Sequence, residues 1–143
     1  MKRRVKDLLN TVIKWAEGKS GILGVALVGS YARDEAKVDS DVDLVLIAST
    51  PKELIDKPEW IKEFGDVKSF KIEDWGLVTS LRVFYRGDLE VEYGVTTSEW
   101  ASEPIDECTR QVIADGMKIL LDKSGLLDRA LKEVSSKGSR SPS

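Results

Sequence analysis

Two aspartates, Asp41 and Asp43, open an apolar run, Leu44-Val45-Leu46-Ile47, that reads as a buried strand. Residues i and i+2 of a strand share a face about 7 Å apart. The pair therefore offers hard oxygen donors of the kind that suit Mg²⁺. Without a cation, a carboxylate drawn toward a buried sheet costs free energy. Eleven residues before Asp41 lies Ser30, preceded by Gly29, between one predicted strand and a short helical stretch. Free backbone N–H groups there favour an anion, and the glycine lets a phosphate come close. Each half is ordinary alone: a Gly-Ser pair is commonly a turn, and Asp-x-Asp a solvated loop or a cap. In this order, on these elements, they describe a metal ion held beside a phosphate.

Other residues carry weaker signals. In Leu89-Glu90-Val91-Glu92-Tyr93 the apolar side chains face one way and Glu90 and Glu92 the other, which by periodicity alone is a solvated strand face. Lys37, Arg82 and Arg86 could reach phosphates, but such residues more often solvate a surface. Trp75 and Trp100 could stack on a base or line an acceptor pocket; burial in the core is the expectation. Cys108 reads as a small apolar helix residue. Histidine is absent, which removes imidazole bases, Ser-His-Asp and Cys-His nucleophiles and His-containing zinc sites.

The elements that must position these groups follow from pattern. Val5, Leu8, Leu9, Val12, Ile13 and Ala16 recur at helical spacing over residues 3–17, with Gly18 to end the helix. Ile22 to Val28 and Asp43 to Ile47 read as buried strands, with one or two helical turns over Tyr31 to Ala36 between them. Thr50-Pro51-Lys52-Glu53 has the composition of a capping box, opening a helix that breaks near Pro58 and resumes through Trp60, Ile61 and Phe64. Val67 to Ile72 is a further strand. Leu77 to Tyr85 and Leu89 to Val95 flank the turn residues Arg86-Gly87-Asp88 and should form an antiparallel hairpin. Residues 104–115 read as a helix stopped by Gly116, Met117 to Leu121 as a strand and Leu126 to Val134 as a helix. The expectation is an α/β domain over residues 1–134 with a mixed sheet flanked by helices, followed by a disordered Ser/Gly/Pro/basic tail over 135–143.

Composition bounds the partners. The chain has 143 residues and a net charge of −3, and its one compact basic run is Lys2-Arg3-Arg4. A long nucleic acid wants a basic face, so an extended polynucleotide is disfavoured, whereas a nucleotide held through metal is not. One cysteine allows no internal disulfide, and no apolar run has the length of a secretion signal or a membrane span. A cytoplasmic location is expected.

The segment from Leu27 to Leu46 resembles the nucleotidyltransferase superfamily, of polymerase-β-like fold, whose pattern is Gly-Ser, a short helix, then Ser-Asp-x-Asp-Leu. Gly29-Ser30, Arg33 and Ser40-Asp41-Val42-Asp43-Leu44 match it as they stand, while Asp34 occupies a position that is glycine in many members. Aspartate tolerates the left-handed backbone conformation better than most residues. Over the rest of the chain, Leu89 to Gly94, Trp100-Ala101 and Gly116 with Ile119 to Asp122 look like small stand-alone bacterial and archaeal members, akin to antibiotic and minimal nucleotidyltransferases. The resemblance implies a third carboxylate on a neighbouring strand, Glu92 with Glu90 as alternate, and catalysis by Asp41, Asp43 and Glu92 as ligands of two Mg²⁺ ions. Gly29, Ser30 and Arg33 would bind the nucleotide. The implied reaction is transfer of a nucleoside monophosphate, AMP from ATP, to a hydroxyl of a small molecule or protein with release of pyrophosphate. Two other readings are open: a toxin–antitoxin nucleotidyltransferase acting on or masking a helical partner protein, and a catalytically silent nucleotide-binding module.

Overall fold

The computed structural model describes residues 1–37 and 39–139. Helix α1 (Arg3–Glu17) leads into β1 (Ile22–Val28), the short α2 (Gly29–Ala32), β2 (Val42–Ala48) and α3 (Pro51–Asp56). A 3₁₀ segment over Pro58–Phe64 follows, then β3 (Val67–Asp74), β4 (Thr79–Tyr85) and β5 (Leu89–Thr96). After a second 3₁₀ turn, Ser98–Ala101, come α4 (Glu107–Asp115), β6 (Met117–Asp122) and α5 (Leu126–Ser139). The strands form one mixed sheet in the order β3-β4-β5-β2-β1-β6, in which only β2 and β5 pair parallel. The expected mixed α/β architecture is the one observed.

Strand alternation divides the sheet into two faces. Val25 and Leu27, Val42, Leu44 and Leu46, Leu81, Val83 and Tyr85, and Val91 and Tyr93 point to one face, covered by α1 and the first 3₁₀ segment. There Trp60 stacks on Trp15 with ring centroids 5.2 Å apart. Ala26, Val28, Val45 and Ile47 point to the other face, covered by α4, α5 and Trp100. Both faces of the central strands are thus buried, and an apolar run without alternation, such as Leu44 to Ile47, is the sequence form of that position.

Some local expectations are corrected. Thr50 makes no side-chain cap, so the capping box does not form; Glu53 N–H bonds the Thr50 carbonyl at 3.1 Å instead. The helix expected from residue 104 starts at Glu107, where the Asp106 carboxylate accepts from Cys108 N–H at 3.0 Å. Strand β4 starts two residues later than expected, because Trp75-Gly76-Leu77 is a turn, with Gly76 at φ +88° and Trp75 N–H bonded to the Val78 carbonyl. Helix α5 runs past Val134 to Ser139, into the segment expected to be a tail; residues 140–143 of that segment lie outside the described residues. Among the described residues, no helix is long and apolar enough to cross a membrane.

Candidate active site

Asp43 occupies the second position of β2, opposite Val28 on β1 and Glu92 on β5. The same-face rule puts Asp41, Asp43, Glu90 and Glu92 on the α4 side of the sheet, past the end of that helix layer's apolar cover. One carboxylate oxygen each from Asp41, Asp43 and Glu92 lies within 4.8 Å of the others. Glu90 is not part of this group; its Oε2 accepts from Arg82 Nη1 at 2.7 Å. The spacing of Glu90 and Glu92 decides this, because the β2–β5 register aligns Glu92, and not Glu90, with Asp43.

The three carboxylates crowd one another, and Asp43 bears the consequence. Its carboxyl is pushed up to about 8, first by burial, then by a hydrogen bond with Glu92 and the negative charges of Asp41 and Glu92. Asp43 therefore holds a proton at neutral pH when no cation is near. The charge of Asp41 also reaches Tyr31, whose phenol is raised chiefly by burial and then by that aspartate. Three oxygen donors within a few ångströms, one kept neutral by burial and by its carboxylate neighbours, form a donor set that fits a hard divalent cation.

Gly29 joins the site from the end of β1. Its φ of +72° is a conformation that glycine adopts without strain, and a Cβ built there would collide with the Asp43 carboxylate. Only glycine lets the chain pass this close to the acidic group. Ser30, next in α2, is half-buried, and its carbonyl accepts from Glu35 N–H at 2.9 Å. Asp34 sits in the left-handed region at φ 58°, and its carboxylate meets Lys118 Nζ at 3.0 Å. The turn after α2 therefore closes with an aspartate at this position.

A cleft of about 330 Å³ opens beside Asp43 and Glu92. Gly29, Arg33, Asp43 and Glu92 line one part of it, and Val78, Ser80, Trp100, Val112 and Asp115 are among the other lining residues. Arg33 borders the cleft while its Nε reaches Glu35 at 3.3 Å. A larger cavity of about 580 Å³, lined by Trp15, Thr50, Glu53 and Trp60 among others, includes none of the clustered carboxylates.

Several sequence expectations meet a different outcome here. Trp100 is buried, 4% exposed, as the core reading requires, but Trp75 is 64% exposed in the β3–β4 turn. Cys108 is exposed on α4 and not packed as an apolar residue. Arg86 is an exposed turn residue paired with Asp66, and Lys37 is exposed beside Ser40. Neither belongs to the cleft.

Arg82 is the residue the sequence reading undervalued. From β4 it reaches four carboxylates: Nε to Glu73 at 3.1 Å, Nη1 to Glu90 at 2.7 Å and Asp41 at 3.5 Å, and Nη2 to Glu92 at 3.5 Å. Hydrogen bonds to Glu90 and Glu73 hold the guanidinium even more firmly protonated. The signal was present in the hairpin. With Tyr85 opposite Leu89 across the Arg86-Gly87-Asp88 turn, Arg82 falls opposite Glu92.

The streptomycin adenylyltransferase family profile matches residues 1–141. No curated protein matches the chain significantly in sequence. Among solved structures, the chain is similar to an aminoglycoside 6-adenyltransferase from Bacillus subtilis, with a TM-score of 0.55 and 11% identity. That match covers 82% of this chain but 40% of the other, so the chain spans less than half its length. A toxin-antitoxin structure with AMP-PNP gives a TM-score of 0.46 at 14% identity, over 91% of this chain and 86% of that one. A CCA-adding enzyme in its apo form gives 0.49 at 18% identity, over 93% and 32%. The fold is that of the polymerase-β-like nucleotidyltransferases.

Proposed function

The chain belongs to the streptomycin adenylyltransferase family, and from that premise we propose that it transfers AMP from ATP to a hydroxyl of an acceptor and releases pyrophosphate. The observation that carries this reading is the convergence of Asp41, Asp43 and Glu92 within 4.8 Å beside Gly29, whose missing side chain leaves room at the Asp43 carboxylate. Asp41, Asp43 and Glu92 would hold Mg²⁺, which when bound supplies positive charge for the triphosphate and the reacting oxygens. Gly29 and Ser30 would sit against the phosphates through backbone N–H groups, with Arg33 at the cleft's border as a further cation. The proton on Asp43 must leave as the cation binds, so the site gains its full charge only when loaded. Val78, Val112 and Trp100 give the cleft an apolar wall for the parts of nucleotide or acceptor that are not phosphate.

The acceptor is proposed to be a small polyhydroxylated compound of the aminoglycoside class, with streptomycin as the first to test. Asp115, an acidic residue of the cleft outside the metal-binding group, suits a cationic acceptor. A second reading, nucleotide binding without transfer, has one observation in its favour: Arg82 already neutralises part of the acidic cluster. ATP labelled at the α-phosphorus, supplied with Mg²⁺ and an aminoglycoside panel, separates the two. The transfer reading expects α-label on the acceptor together with pyrophosphate. Saturable binding with no label transferred to any acceptor favours the silent module.

A further inference from the structure

The exposed large apolar side chains among the described residues gather on the outer strand of the sheet and the turn that follows it. Strand β3 pairs with β4 on one side only, so its other side presents unpaired backbone N–H and C=O groups. Phe70 and Ile72 lie opposite Val83 and Leu81 and so continue the buried face of the sheet, yet they are 42% and 48% exposed. With Trp75 and Leu77 in the following turn, they make up four of the five large apolar side chains exposed among the described residues. The opposite edge, β6, contributes none. Such a concentration on an open edge marks an interaction surface.

We propose that β3 is the pairing edge of a symmetric dimer, in which two copies of this chain align β3 antiparallel about a twofold axis passing beside Lys71. The sequence of the strand is complementary to itself in that register. Phe70 of each copy falls opposite Ile72 of the other, and Lys68, beside the bulge between Val67 and Ser69, falls opposite Asp74. The Lys68 side chain forms no hydrogen bond or ion pair among the described residues, and the Asp74 carboxylate accepts only from the Gly76 N–H, at 2.9 Å. Opposite charges and apolar pairs placed directly across two strands stabilise a sheet. The two Lys71 side chains meet at the axis, the one like-charge pair of this register. Moving the axis to Ile72 would set Phe70 against Asp74. The Lys71–Glu73 pair which that register offers in return is already met by competition, since Glu73 is bound to Arg82 at 3.1 Å. A twofold strand pair of this kind is isologous and closes on itself, leaving neither copy with an open β3 edge.

The dimer is tested by light scattering over a concentration series and by register-specific cross-linking. The mass of the wild-type protein is expected to rise from 15.9 kDa toward twice that value. The double variant Phe70→Lys, Ile72→Lys, altered only at exposed positions, is expected to stay at the monomer mass with an unchanged circular dichroism spectrum and melting temperature. In a Cys108→Ser background, which removes the one native thiol, Lys71→Cys is expected to form an intermolecular disulfide under mild oxidant. Phe70→Cys alone is not, whereas Phe70→Cys with Ile72→Cys is. A wild-type protein that remains monomeric at every concentration overturns the proposal. So does a folded double variant that still doubles in mass. Cross-linking through Ile72→Cys alone, with none through Lys71→Cys, overturns the register.

Discussion

Asp43 differs from its neighbour Asp41 in a way that mutation can expose. Asp41 lies 3.5 Å from Arg82, whereas Asp43 is half-buried among carboxylates and raised to about 8. In the unfolded chain Asp43 loses its proton near pH 4. Between there and about pH 8 the folded state holds one more proton than the unfolded state, so this group's contribution to stability falls as pH rises and is fully lost above that range. Asp43→Asn removes the penalty. Its melting temperature should exceed that of the wild type at pH 9 and match it near pH 4, while Asp41→Asn, which relieves Asp43 only in part and strips a partner from Arg82, gains less. Equal curves for Asp43→Asn and wild type across this range would show that Asp43 carries no penalty. Proton release gives a second test. Mg²⁺ affinity should climb up to about tenfold per pH unit below pH 8 and level off above it. Calorimetry in buffers of different ionisation enthalpy should register one proton released per site at pH 7. Arg82 works in the opposite sense. Arg82→Met leaves Glu73, Glu90, Asp41 and Glu92 without their shared cation, and should lower stability by about 2–3 kcal/mol, the scale of lost charged hydrogen bonds. Added Mg²⁺ should restore more melting temperature to this variant than to the wild type. Denaturant melts with and without Mg²⁺ check both statements, and a variant as stable as the wild type would remove Arg82 from the electrostatics of the cluster.

At the scale of elements, the site depends on register. The parallel β2–β5 pairing aligns Asp43 with Glu92, and the β4–β5 hairpin aligns Glu92 with Arg82. Glu92→Gln should abolish metal-dependent nucleotide transfer at every pH. Glu90→Gln should leave metal binding within a few-fold, because Glu90 is held by Arg82 and stands apart from the three clustered carboxylates; kinetics and metal titration of both variants reverse the assignment if the larger loss falls on Glu90. Much of this was legible in the chain. The run Leu44 to Ile47 announced a central strand, Asp41 and Asp43 marked its head, and Arg86-Gly87-Asp88 fixed the hairpin. What escaped was decided by contacts distant in sequence. Trp75 looked like a core aromatic, but Gly76 turns the chain beneath it and leaves no layer to cover it. Thr50 and Glu53 had the spacing of a capping box, but Thr50 at ψ 76° leaves the cap to the backbone. The cap that does form is Asp106 on α4. Asp106→Ala should cost about 1 kcal/mol of stability, read from denaturant melts, and no loss would make that bond ornamental to the helix.

Across the whole molecule, the two faces of the sheet have separate tasks. One holds the main core under α1, with Tyr85 and Tyr93 sharing a buried hydrogen bond of 2.8 Å. The other is apolar where α4 and α5 cover it and acidic beyond their reach, and there the cluster stands. Asp43 and Gly29 are tied to each other across that boundary, since no side chain larger than glycine's fits against the carboxylate. This is why Gly29→Val should remove nucleotide binding and disturb Asp43 together. The central claim is that Asp41, Asp43 and Glu92 form a metal-dependent nucleotide site. Its most direct test is calorimetric titration of the protein with a non-hydrolysable ATP analogue, with Mg²⁺ and with EDTA, in the wild type and in Asp43→Asn. Saturable binding that needs Mg²⁺ and is lost in Asp43→Asn is the predicted result. Binding of equal affinity in EDTA, or undiminished in the folded Asp43→Asn protein, would contradict it.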